Sequence, residues 1–300
     1  NRANAIFTGD YDSLGLYELY SNTVDGLGTP LKLHPDLPSH ASINFKYLTP
    51  DKTKVVFTSD IDTDGIYELY KVNVDGTGFL KLNSPFHPGI TRLTISPDSQ
   101  KVMFLDYQNN VMIVNIDGTN ETLLTTQVDQ VNAPNSTVMK FTPDSTKAVI
   151  YGELTTDNIY EIASVNVDGT NFSKLNGPLP AGQSVRNSFE VRNNRVFFYY
   201  YNANSNFQLY TNTHANTDLI QITSSGVETA LIEYIITEDG QDILLRECNA
   251  GIVETHRLKS DGTGKFTLDS SGNIYKIYLE PNTKRALYFN GLSPSVCTVN

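Results

Sequence analysis

The segment DIDTDGIYELYKVNVDGTG, residues 60–78, asks two things at once. Its first half, D-x-D-x-D-G, opens like a calcium loop, and its second half, V-D-G-T-G, reads as a turn. Recurrence separates the two readings. D-G turns begin at Asp25, Asp75, Asp117, Asp168 and Asp261, with a degenerate copy, THANTD, at 213–218. A second turn keeps the same beat: TPDKTK at 49–54, SPDSQK at 96–101, TPDSTK at 142–147, RNNR at 192–195, TEDGQD at 237–242 and EPNTK at 280–284. Two independent turns in one register, with a period of roughly 47 residues, define an internal repeat.

Each period reads as four strands. In the best copy, strand A is INFKYLT from residue 43, B is KVVFTS from 54, C is IYELYKVNV from 66 and D is FLKLN from 79. Tyr, Val, Ile, Phe and Thr dominate these runs and no helical period is present. The B–C–D pattern returns from Lys101 and again from Lys147. Four antiparallel strands per repeat of 40–50 residues is the sequence form of an all-β propeller.

The repeat S-P-D-S-x-K-V-x-F, then I-Y-x-x-x-V-N-V-D-G-T, resembles the TolB-like propeller repeats, which also build the non-catalytic propellers of prolyl-oligopeptidase and tricorn peptidases. The resemblance covers essentially the whole chain, read as a single domain over residues 1–300. It implies a four-stranded blade and leaves activity open, because one fold hosts many functions. WD-repeat and sialidase-type blades are excluded, since the chain has no Trp.

The chain opens on a B strand at Ala5 and closes on A, B and C strands from Ile274, Ala286 and Ser295. Seven blades with incomplete terminal blades are expected. The alternative is six, with the C-terminal A strand completing the N-terminal blade. An edge left unpaired in this way invites another chain.

The 300 residues are 39% hydrophobic and carry a formal charge of −11. That balance argues against nucleic acid and anionic membrane surfaces as partners. No apolar run reaches the length needed to span a bilayer, so no membrane insertion is expected. Plentiful Tyr with sparse Lys and Arg suggests a periplasmic or extracellular protein. Cys248 and Cys297 are too few for a disulfide scaffold; they are buried thiols or one disulfide bond. Sequons stand at Asn120, Asn135 and Asn171.

Strand direction sorts the loops. A–B and C–D turns lie at one end of each blade, where Asp25, Asp75, Asp117, Asp168 and Asp261 serve turn geometry. B–C and D–A loops lie at the other end and differ from blade to blade, as a binding face would. Candidate binding residues there are His34, His40, His87, Asp106, Asp157, Tyr200 and Tyr201. The three histidines beside carboxylates are also a candidate transition-metal or catalytic set, in the spirit of oligogalacturonate lyase. Asp60, Asp62 and Asp64 are candidate calcium ligands. The full loop motif fails there, because position twelve, where a bidentate Glu belongs, is Lys71. Calcium is the one cofactor considered. His214 and His256, in or near C strands, read as structural, and no G-x-S-x-G nucleophile motif occurs.

The reading that follows is a non-catalytic binding or scaffold module with a protein or peptide partner. The alternatives are a self-associating subunit of a filament, sheath or surface layer, and a carbohydrate-active lyase or hydrolase.

Overall fold

The computed structural model describes residues 4–12, 15–126, 137–155, 158–179, 183–201, 207–224, 229–271, 274–279 and 286–290. These residues contain strands and turns and no helix. The first sheet, in the order β1-β2-β3, holds β1 (Asn4–Gly9), β2 (Glu18–Thr23) and β3 (Leu31–Lys32). The second holds β4 (Ile43–Leu48), β5 (Lys54–Ser59), β6 (Glu68–Asn73) and β7 (Leu80–Lys81). The third holds β8 (Arg92–Ile95), β9 (Lys101–Leu105), β10 (Val111–Asn115) and β11 (Thr122–Thr125). The fourth holds β12 (Val138–Phe141), β13 (Lys147–Glu153), β14 (Tyr160–Asn166) and β15 (Ser173–Lys174). The fifth holds β16 (Val185–Arg192), β17 (Arg195–Tyr201), β18 (Phe207–Thr213) and β19 (Ile220–Gln221). The sixth holds β20 (Thr229–Ile236), β21 (Asp242–Asn249), β22 (Ile252–Lys259) and β23 (Phe266–Asp269). The last described pair is β24 (Ile274–Leu279) with β25 (Ala286–Asn290). Every strand pairs antiparallel with its sequence neighbour, and the first sheet begins on a B strand, as expected.

Backbone contacts gather the chain into two units, one of Asn1–Val128 with Asn166–Thr170 and one of Asp129–Val165 with Asn171–Asn300. In the first, Val56 and Leu69 of the second sheet pack on Val102, Phe104, Met112 and Val114 of the third. In the second, Phe197 and Leu209 of the fifth sheet pack on Ile243, Leu245 and Leu258 of the sixth. The inner strands are therefore covered on both faces: KVVFTS and DILLRECN are buried almost continuously rather than at alternate residues, around the apolar runs VVF and ILL. The two-residue D strands stay at the rim.

The turn end is built the same way each time. Asp75 Oδ1 accepts from the Thr77 amide at 3.0 Å and its hydroxyl at 2.6 Å, and Asp117, Asp168 and Asp261 repeat the bond with the residue two positions on. Gly76 has φ +80°, and a Cβ there would sit 3.3 Å from the Lys32 carbonyl, so only glycine lets this turn lie against the preceding sheet. In the A–B turns Thr49, Ser96, Thr142 and Thr237 each donate to the Asp two residues on. The aspartates assigned to turn geometry do that work.

Candidate functional site

At the opposite end of the sheets a second column of residues repeats. Glu18 and Glu68 open the C strands of the first and second sheets, Glu161 is the second residue of the C strand of the fourth, and all three are buried. Each is met by a lysine from the D strand: Lys32 on Glu18 at 2.6 Å, Lys81 on Glu68 at 3.1 Å and Lys174 on Glu161 at 2.8 Å. Register explains the meeting. Lys32 pairs with Tyr20, Lys81 with Tyr70 and Lys174 with Ala163, so each lysine lies diagonal to a glutamate two residues back on the same sheet face. Burial alone would lower the Lys81 pKa, but the Asp62 and Glu68 carboxylates overcome it and hold the ammonium above its ordinary value. In the fifth sheet both members change together, to Gln208 and Gln221, which bond amide to amide at 2.7 Å.

The B–C loop acids fold their own loops. Asp60 takes the Ser42 amide at 2.6 Å and the Gly65 amide at 3.1 Å, and Asp10 and Glu153 cap the amide five residues on in the same way. Asp62 lies on Lys81 at 2.8 Å, and Asp64 is exposed. Of the calcium candidates, Asp60 is thus engaged by backbone amides and Asp62 by a lysine, while Asp64 is exposed. The group of three potential metal-ligating side chains that the described residues do bring together is elsewhere.

The three loop histidines separate. His34 is buried, its Nε2 accepting from the Leu19 amide at 2.9 Å and its Nδ1 donating to the Pro35 carbonyl at 2.7 Å. Both nitrogens are used, and burial lowers its pKa, so it is a neutral structural residue. Asn83 and Asn176 occupy its position in the second and fourth sheets, accepting from the Leu69 and Ile162 amides. His40 is exposed. His87 Nδ1 lies 2.9 Å from Asp106 Oδ2, and Asp106 also accepts the Gln108 and Asn110 amides. His34 is thus engaged within its own sheet, while His87 is paired with Asp106.

Tyr200 is buried and stacks on Tyr210 with ring centroids 4.5 Å apart, which removes it from the exposed face. Tyr201 is in β17, opposite Phe207. Asp157 and Cys297 lie outside the described residues. Cys248 is buried and disulfide-bonded.

Four exposed aromatics stand at the loop end of the first unit: Tyr11 at 64% exposure, Tyr17 at 59%, Phe86 at 79% and Tyr107 at 53%. Tyr11 meets Tyr20 edge to face at 5.0 Å and closes over Gly9. The Tyr107 ring lies on Gly89, where a Cβ would come within 2.2 Å of it. Sequence reading missed all four. Their signal was an aromatic inside an acidic B–C loop, at Tyr11 and Tyr107.

No protein-family model matches the sequence, and a search of curated proteins finds no relative. Solved structures do match. A prolyl endopeptidase structure aligns over 96% of this chain and 45% of its own, at 12% identity and a TM-score of 0.51. The fold is a multi-bladed β-propeller. TolB from Acinetobacter baumannii aligns over 88% of this chain and 62% of its own, at 14% identity and a TM-score of 0.42. An oligogalacturonate lyase from Vibrio parahaemolyticus aligns over 92% and 74%, at 12% identity and a TM-score of 0.48. This propeller spans less than two thirds of the TolB chain and under half of the endopeptidase chain.

Proposed function

We propose that this propeller is a non-catalytic binding module that recognises a protein or peptide partner through its B–C and D–A loops, outside the cytoplasm. The observation that carries the reading is the display of Tyr11, Tyr17, Phe86 and Tyr107 at the loop end of the first unit. Large aromatics left in water are the anchors from which protein interfaces are built. Tyr11 and Tyr107 are already fixed against glycine backbone, so they lose little freedom when a partner arrives. The disulfide at Cys248 supports an oxidising compartment.

The test is affinity capture with the wild-type chain and with Phe86→Ser/Tyr107→Ser. The reading expects a protein held by the first and lost by the second. Identical capture by both chains would reject it. A wild-type chain that forms large homopolymers by light scattering would favour a structural subunit instead.

One observation favours an enzyme as the second reading. The His87 imidazole is oriented by the buried Asp106 carboxylate, as a general base is. A polysaccharide- or peptide-cleaving activity lost in His87→Gln would support it.

A further inference from the structure

The sixth sheet departs from its fellows in the column that elsewhere holds the glutamate–lysine pair. Glu254 takes the glutamate position at the start of β22, but the D-strand position diagonal to it is Thr267 instead of lysine. The residue two places on, tyrosine in the first, second and fifth sheets, is His256. Directly opposite Glu254 on β21 stands a second acid, Glu247. The hairpin turn between them is Ala250-Gly251, with φ +48° and +85°, which sets that register. Glu247, Glu254 and His256 therefore share one face of the sheet.

Their distances are those of a ligand set. His256 Nε2 lies 3.1 Å from Glu247 Oε1 and 3.7 Å from Glu254 Oε2. Ligand arms of about 2.0–2.2 Å around a tetrahedral ion put neighbouring ligand atoms about 3.3–3.6 Å apart. His256 is 3% exposed, and its Nε2 makes no hydrogen bond of ordinary geometry. The buried His34, by contrast, completes both of its nitrogens. Nδ1 of His256 meets Thr267 Oγ1 at 3.1 Å, so Nε2 is the nitrogen that faces the two carboxylates.

The surroundings complete the case. Lys265 reaches Glu247 Oε1 at 2.5 Å, and Ser224 donates its hydroxyl at 2.7 Å and its amide at 2.8 Å to the same carboxylate. Two of these bonds fall on Oε1 and one on Oε2, so of the roughly four acceptor positions of a carboxylate the open one is on Oε2. Lys265 offsets one of two directly opposed negative charges. Glu254 keeps the Asn249 amide at 3.2 Å and no lysine of its own.

We propose that Glu247, Glu254 and His256 bind a divalent transition-metal ion of the zinc or manganese kind. Two carboxylate oxygens and one imidazole nitrogen suit such ions, and three protein ligands leave a position open to water or a ligand. The inference is independent of the aromatic surface of the first unit.

The experiment is calorimetric titration of the tag-free, chelator-stripped 300-residue chain with ZnCl2 and, separately, with MnCl2. The expected result is one saturable equivalent and a rise in the thermal unfolding midpoint. Glu254→Gln removes a partly exposed ligand and weakens binding by about tenfold or more. Thr267→Lys restores the lysine of the other sheets, leaves all three ligands in place and weakens binding by about as much. Glu68→Gln, the same column in the second sheet, leaves the affinity unchanged. Absence of saturable binding up to about 1 mM metal overturns the proposal. Equal losses in Glu254→Gln and Glu68→Gln overturn it too.

Discussion

The second and sixth sheets are built on the same strand order, and they spend the same positions differently. In the second, Glu68 is buried beneath Lys81, Asn83 holds the Leu69 amide, and Asp60 and Asp62 close the loop above. In the sixth, the glutamate has lost its lysine, tyrosine has become histidine, and a second acid faces it across the hairpin. Asp269, in the column of Asn83, turns to the following loop and accepts from Ser271 and Ile274. The difference teaches that the loop end of a blade is a set of columns. Each column can carry structural or ligand-binding chemistry on an unchanged backbone.

The largest effect expected comes from breaking the pair in the second sheet. Lys81→Gln strands a buried carboxylate and should cost about 2–3 kcal/mol, toward the low end for a buried pair because Lys81 keeps some contact with water. The double variant Glu68→Gln/Lys81→Gln should regain most of that loss, since the fifth sheet already works with Gln208 and Gln221. Urea unfolding of the three chains measures both numbers. A double variant no better than the single would mean that the columns are not interchangeable.

The next effect sharpens the comparison at His34. His34→Ala leaves the Leu19 amide buried without an acceptor and should cost about 2 kcal/mol. His34→Asn should cost less than about 1 kcal/mol, because Asn83 and Asn176 already accept that bond in two other sheets. The sign of the pH dependence follows from burial, which lowers the His34 pKa despite the Pro35 carbonyl and the Glu18 and Asp36 charges beside it. The unfolded chain takes up its proton near pH 6.5 and the folded chain only below that. This stability is therefore complete above pH 6.5 and declines as pH falls from there toward the folded value. The decline should be smaller in His34→Asn, and an identical slope in both chains would remove His34 from the account.

These comparisons show what was legible in the sequence. The strands and both families of turn were, because alternating or continuous apolar runs and Asp-Gly or Pro-Asp turns are local signals. The fate of His34 was not, because it depends on β3 returning beside β2 to bring a side chain to the Leu19 amide. The bond from Ser42 to Asp60, eighteen residues later in the chain, was not legible either, because it depends on the strand returning beside that loop. The role of His256 was hidden by register. Only the turn at Ala250 and Gly251, weaker as a signal than Asn-Gly, sets Glu247 opposite Glu254. The Glu-to-Lys spacing that recurs from Glu18, Glu68 and Glu161 was present in the sequence, and it becomes meaningful once the D strand is known to pair with C.

The smallest effect on stability should come from the exposed aromatics. Phe86 is 79% exposed, and Phe86→Ser should change the unfolding free energy by less than about 0.5 kcal/mol. Tyr107→Ser should cost slightly more, since its ring covers Gly89 and its hydroxyl lies 3.4 Å from the Gly65 carbonyl. A surface that folding barely needs, yet that keeps large rings in water, is maintained at some risk of aggregation. If both variants stay as stable as wild type and lose the captured partner, the loop end of the first unit is a binding surface. If Phe86→Ser unfolds the chain with a cost like that of Lys81→Gln, the ring belongs to the fold, and the contrast between structural and displayed columns fails at that position.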